Sequence, residues 1–364
     1  MDVNCIMKKK IHRNIIFSKS QLKSKLRVGD YLQIYPCSFS GAPISFYCSD
    51  FPLVIEYIVD ESPEVKLPDD LVELSPLLSP LTPQINQLNR LLRLLSVLTN
   101  YRFFSHQESE FKWGVALPSQ EMSRSEKEEF RRKTSRIFLP VFNYPNISND
   151  LLITEFSEPN FPDAVLVKHE EYYRRIPIDD RSIEIDFPTT IHQAVGEYFS
   201  IEKGAKSVVN SVNHLICNGL EIKNKMKSLS FLSFVSAIET LVSHEYKHQN
   251  KEVEFECSDC QTLKTSPFHC PKCQRPVWAI SAKFKEFLKA YISSTQSSIK
   301  KYSKIYNLRS KIVHAGALLL GDEEIDWGDS EKANEQHITY YESMQIAREC
   351  LANWLLKKSG KVST

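Results

Sequence analysis

From residue 189 onward the chain places apolar residues three or four positions apart, the spacing of helices that bury one stripe. Before about residue 180 it alternates short β-branched and aromatic runs with Gly and Pro, the pattern of strands and turns. This switch of period restricts the fold to an α+β chain: a strand-rich mixed N-terminal domain followed by an all-α helical bundle. Residues 1–185 and 186–364 are therefore expected as two domains, in keeping with a length of 364 residues.

In the N-terminal part, 28–35 and 43–59 read as strands. Pro63, Pro68, Pro76, Pro80 and Pro83 make 62–83 an extended connection. Leu88, Leu91, Leu92, Leu95 and Leu98 predict a helix over 84–99. Residues 101–104 and 112–117 read as further strands. Ser123 and Glu126 spell a capping box that opens a charged helix to about Arg136. In the C-terminal part the periodicity predicts helices over 189–200, 202–218, 225–246, 280–294, 296–319 and 330–358.

The interval between the helices at 225–246 and 280–294 holds Cys257-x2-Cys260-x9-Cys270-x2-Cys273. Each C-x2-C knuckle offers two thiolates, and a short loop lets both knuckles share one tetrahedral Zn2+ ion. A zinc ribbon over 253–277, inserted in the bundle, is the expectation. The rival is a redox pair or disulfides, which suit an oxidising compartment. The sequence has basic residues at its start but no apolar h-region of a secretory signal, and no apolar run of roughly 20 residues. The expected setting is cytoplasmic, without a membrane. Four thiolates leave no open coordination position, so the ion would be structural and would not activate water. No catalytic metal is called for.

A net charge of +1 hides strong local asymmetry. Residues 1–27 carry eight Lys/Arg against Asp2 alone. Residues 281–311 carry Lys283, Lys285, Lys289, Lys300, Lys301, Lys304, Arg309 and Lys311 against Glu286 alone. Residues 321–336 are acidic, from Asp322 to Glu335. The basic stretch ends in Arg309 and His314, at R-x4-H spacing. An arginine can grip a phosphate through two parallel hydrogen bonds, and a histidine can exchange a proton near neutral pH. Together they form a minimal kit for cutting RNA without a metal, with Lys300, Lys301, Lys304 and Lys311 as candidate RNA contacts. The bland alternative is a helix end carrying a basic residue and a capping His before Gly316.

Five helical residues turn about 500°, so Arg309 and His314 diverge by about 140°. Arg309 falls in the apolar register of its helix with Tyr302, Tyr306 and Val313. Glu239 falls in the register of Leu232, Val235, Ile238 and Val242. Opposite charges in such positions predict a buried or half-buried pair. That pair would either fix helix packing alone or orient Arg309 toward a phosphate.

The segments Phe231-Leu-Ser-Phe-Val-Ser-Ala-Ile-Glu239-Thr-Leu-Val and Tyr306-Asn-Leu-Arg-Ser-Lys-Ile-Val-His314-Ala-Gly316, with the cysteine cluster between them, resemble the Apea-like branch of the HEPN superfamily over roughly 190–358. Ser310 stands where many members of the family have Asn, Asp or His. The resemblance implies a HEPN-like helical bundle that forms a homodimer and brings two R-x4-H helices into one cleft. It also implies a metal-independent endoribonuclease, of the kind used in anti-phage abortive infection or as a toxin. In that reading Arg309 and His314 are catalytic, supported by Glu239 and Ser310, and the N-terminal domain senses a phage or host trigger. Transfer, messenger and ribosomal RNA all stay open as targets. The alternative is a non-catalytic RNA-binding or protein-interaction sensor in which the Arg–His pair is structural.

Overall fold

Ile11-His-Arg-Asn-Ile-Ile-Phe-Ser18 is the strand on which the N-terminal sheet is built, although the run of lysines before it hides its apolar content in the sequence. The structure is a computed structural model that describes residues 11–38, 50–59, 81–105, 123–126, 152–176, 183–247, 255–256, 260, 262–264, 280–322 and 331–358. Within them the fold is mixed α+β, an antiparallel sheet followed by helices. The expected strand at 112–117, the charged helix beyond Glu126 and the proline-rich connection up to residue 80 lie outside the described residues. The chain divides into two units, Met1–Tyr172 with Pro177–His192, and Tyr173–Ile176 with Gln193–Thr364.

In the first unit the strands are β1 (Ile11–Ser18), β2 (Leu26–Val28), β3 (Leu32–Pro36), β4 (Phe51–Ile58), β5 (Phe103–Phe104) and β6 (Leu152–Ile153). The sheet order is β2-β3-β4-β1-β5, and β6 also pairs with β1. Every pairing is antiparallel, with Ile11 opposite Ile58 and Ser18 opposite Phe51. Helix α1 (Leu81–Leu98) buries Leu88, Leu91, Leu92, Leu95 and Leu98, as the leucine spacing requires, and Leu94 and Val97 besides. Tyr57 joins sheet to helix by donating to Asn14 Oδ1 at 2.8 Å and to the Gln84 carbonyl at 3.3 Å. β7 (Leu166–Val167), the short α2 (His169–Tyr173) and β8 (Phe187–Pro188) follow, β7 and β8 pairing in parallel. The Ser123–Glu126 capping box forms as written. The Ser123 N–H donates to Glu126 Oε2 at 2.7 Å, and the Glu126 N–H donates to Ser123 Oγ at 3.3 Å.

The helices of the second unit are α3 (Ile191–Ser200), whose first two residues belong to the first unit, α4 (Lys203–Ile222), α5 (Lys227–Glu245), α6 (Ile280–Tyr291), α7 (Gln296–Ala315) and α8 (Glu331–Lys358). α5 is its centre, burying Phe231, Phe234, Val235, Ile238, Leu241 and Val242. α4 folds back on it so closely that a Cβ at Gly219 would stand 2.7 Å from the Phe234 ring. Ser230 Oγ donates to the Gly219 carbonyl at 2.7 Å, fixing the approach. Gly219→Ala should therefore cost about 1–3 kcal/mol through overpacking, read as a lowered denaturant midpoint. At the far end of α5, Glu245 accepts from Tyr291 and from Trp354, each at 3.1 Å, which ties α5, α6 and α8 together. Beyond α5, β9 (Phe255–Glu256) and β10 (Leu263–Lys264) form an antiparallel ladder with Glu256 opposite Leu263.

Candidate active site

α7 begins at Thr295, whose side chain accepts the Ser298 N–H at 3.3 Å as an N-cap. It ends at Gly316, left-handed at φ 63°, whose N–H reaches the Lys311 carbonyl. The expected helix to 319 thus stops four residues early. Its buried seam is Tyr302, Ile305 and Ile312. Val313 is 47% exposed and does not belong to that seam. Helical periodicity explains the difference, because a seam centred on 305 and 312 leaves 313 about 100° away from 312.

Arg309 does lie toward α5. Its Nη2 donates to Glu239 Oε2 at 3.3 Å, and its Nε stands 3.3 Å from Oε1. The Nε contact lacks hydrogen-bond alignment, so Oε1 keeps spare acceptor capacity. Both side chains are half-buried, at 24% and 18% exposure. The guanidinium carbon lies 5.9 Å from the Tyr306 ring centroid, and Tyr306 in turn lies 5.4 Å from Phe284 on α6. Burial and the Glu239 charge push the Tyr306 phenol up, against the opposing Arg309 charge. Three helices therefore hold this one arginine. Glu239 takes the Nε–Nη2 edge of the guanidinium and leaves the Nη1–Nη2 edge without a partner among the described residues. That end edge is the fork that meets two phosphate oxygens at once.

His314 is exposed in the last turn of α7, about 140° around the helix from Arg309 and about 7.5 Å along it. Ser310 is intermediate in exposure on the same helix. The nominated lysines divide into two pairs. Lys304 meets Glu335 at 2.7 Å, Lys301 meets Glu342 at 2.7 Å, and both acids lie on α8. The Lys304 bond holds the exposed Glu335 carboxyl below the usual carboxylate range, with Lys311 adding a smaller pull. Lys300 and Lys311 are exposed with no bonded partner among the described residues. Part of the acidic segment thus neutralises part of the basic helix.

Asp322, read in the sequence only as one acid among seven, closes the loop after His314. Its carboxylate accepts the N–H groups of Lys227 at 2.6 Å and Ser228 at 2.8 Å, capping α5. Ser228 Oγ accepts the Leu319 N–H at 2.8 Å, and Gln336 Oε1 accepts that of Leu320 at 3.0 Å. The strap that leaves the R-x4-H helix is thus clipped to the start of the helix bearing Glu239. Asp322→Ala should cost about 1–2 kcal/mol, lowering the thermal midpoint, with Asp322→Asn retaining part of the cap.

Of the four cysteines, Cys257, Cys270 and Cys273 lie outside the described residues. Cys260 is described and is half-buried, between β9 and β10 in sequence. Among the described residues no helix is long and apolar enough to cross a membrane. No family model, curated protein or solved structure matches this chain.

Proposed function

We propose that the chain is a metal-independent endoribonuclease effector of the HEPN kind, acting in anti-phage abortive infection or as a toxin. The supporting observation is the open end edge of Arg309, held in place by Glu239 and Tyr306 on the helix that carries an exposed His314. In this mechanism the 2′-hydroxyl oxygen of RNA bonds to the adjacent phosphorus while the bond to the 5′-oxygen breaks. His314 takes the 2′ proton or gives one to the leaving oxygen, and His314 of a second copy performs the other transfer. Arg309 stabilises the charge that builds on the equatorial oxygens, and Ser310 offers a hydroxyl to the same phosphate. The products are a 2′,3′-cyclic phosphate and a 5′-hydroxyl.

The homodimer accounts for the divergence of Arg309 and His314, because each helix supplies a cleft shared by two. A structural zinc held by Cys257, Cys260, Cys270 and Cys273 belongs to the proposal as a fold element only, and the paired strands β9 and β10 flank the first knuckle in sequence. The N-terminal unit would sense the trigger. Sequencing of RNA ends after expression of wild type and His314→Ala tests the reading. New 5′-hydroxyl ends in the wild type alone support it and reveal the target. The rival, a non-catalytic sensor, draws on the half-buried ion pair and on the two lysines engaged by α8. It requires that wild type leave every RNA intact.

A further inference from the structure

α4 and α5 enclose a groove of about 430 Å³ on the second unit. Leu215, Leu229 and Leu232 form its apolar wall, and Asn218, Glu221 and Ser236 supply its polar positions. Leu229 is 53% exposed there, so the wall is open to an occupant. The Asn218 amide nitrogen meets His214 Nε2 at 3.1 Å, which leaves the Asn218 carbonyl oxygen as an acceptor. Glu221 is exposed, and its carboxylate, like the Ser236 hydroxyl, has no bonded partner among the described residues. Mostly apolar walls with a few convergent polar groups are the usual makeup of a pocket for a small flat ligand.

Position along α5 indicates which ligand. Ser236 precedes Glu239 by three residues, so the two are neighbours on the helix surface, about 4.5 Å apart along its axis. The groove therefore ends within one turn of the Glu239–Arg309 pair. A phosphate on the open edge of Arg309 would sit beside the same helix whose preceding turn lines the groove. Among the polar groups at the rim, Glu221 can only accept, through its carboxylate, and Asn218 adds its carbonyl oxygen. To a carboxylate uracil offers one N–H flanked by two carbonyl oxygens, whereas adenine, cytosine and guanine offer an exocyclic amino group.

We infer that this groove is a nucleobase pocket, and that it prefers a base with an exocyclic amino group over uracil, whose exocyclic groups are carbonyls. The inference rests on the reading of Arg309 as a phosphate ligand and adds a sequence preference to it.

Calorimetric titration of the full chain with AMP, CMP, GMP, UMP and inorganic phosphate tests it. The three amino-bearing nucleotides should bind at least about tenfold tighter than UMP, one good polar pairing. Glu221→Ala should remove that preference while leaving UMP unchanged. Ser236→Phe, which fills the groove, should bring every nucleotide to the affinity of inorganic phosphate. Circular dichroism of each variant checks that the helices persist; Glu221→Ala, at an exposed position, keeps the test decisive if Ser236→Phe does not fold. Equal binding of the four nucleotides, no binding beyond that of phosphate, or full binding by Ser236→Phe overturns the pocket. Cleavage is not the readout, so the two readings fail separately. A chain that shows the preference but cuts no RNA overturns the ribonuclease. A chain that cuts RNA but binds all four alike overturns the pocket.

Discussion

Arg309→Ala should lower the rate of RNA cleavage by about two to three orders of magnitude, the usual loss when one preorganised donor to a developing oxyanion is removed. His314→Ala should cost about two to four orders, the range for a positioned acid or base. The two variants should differ in stability. His314 is exposed, and its loss should leave the melting temperature unchanged. Arg309 is half-buried against Glu239, and its removal leaves that carboxylate without its partner. A small drop in melting temperature should follow, relieved by the double variant with Glu239→Gln. Arg309→Lys should not restore cleavage, because an ammonium engaged by Glu239 has no second planar edge for phosphate. Full-rate cleavage by His314→Ala, measured on purified protein, would remove that residue from the mechanism.

The Arg309–Glu239 contact was legible in the sequence because each charge sits in the apolar register of its own helix. Two such misfits of opposite sign solve each other when the helices pack. The capping box at Ser123 and Glu126 was legible for a similar reason, since both halves lie within one turn. Asp322 is the opposite case. It caps α5 from a position 94 and 95 residues away in sequence, and nothing near either end announces the bond. Strand β1 was obscured by composition, as the lysines before Ile11 drew the segment toward a charge reading although Ile11, Ile15, Ile16 and Phe17 are all buried. The pairing of Lys301 and Lys304 with α8 depends on how two helices meet, which a count of charges cannot supply. The groove of α4 and α5 is likewise a product of packing, because no periodicity encodes concavity.

Glu56→Ala should destabilise the first unit by about 3–5 kcal/mol, the cost of removing one partner from a buried pair. Glu56 has no exposure and lies in register with Arg13 on one neighbouring strand and Gln33 on the other. Its carboxylate accepts from Arg13 Nε at 3.0 Å, Tyr35 at 2.8 Å, Gln33 at 3.3 Å, and the Ser157 N–H and hydroxyl at 2.9 and 2.6 Å. Alanine would strand all of these donors at once, with the Arg13 charge among them. That loss is a large share of the roughly 5–15 kcal/mol that keeps a domain folded, so the unit should melt in a separate, earlier transition. Burial, and then the charge of Glu56, push the Tyr35 phenol well up from 10.0, so its proton stays available to the carboxylate. A raised folded value stabilises below the unfolded value and is lost above it, so wild type should hold its stability through neutral pH and lose it above about pH 10. In Glu56→Ala the part of that shift due to Glu56 disappears, and the alkaline decline should be shallower. If the first unit carries the sensor of the proposed effector, Glu56→Ala should abolish the triggered growth arrest. A single transition at the wild-type temperature would show that the network contributes far less than its burial requires.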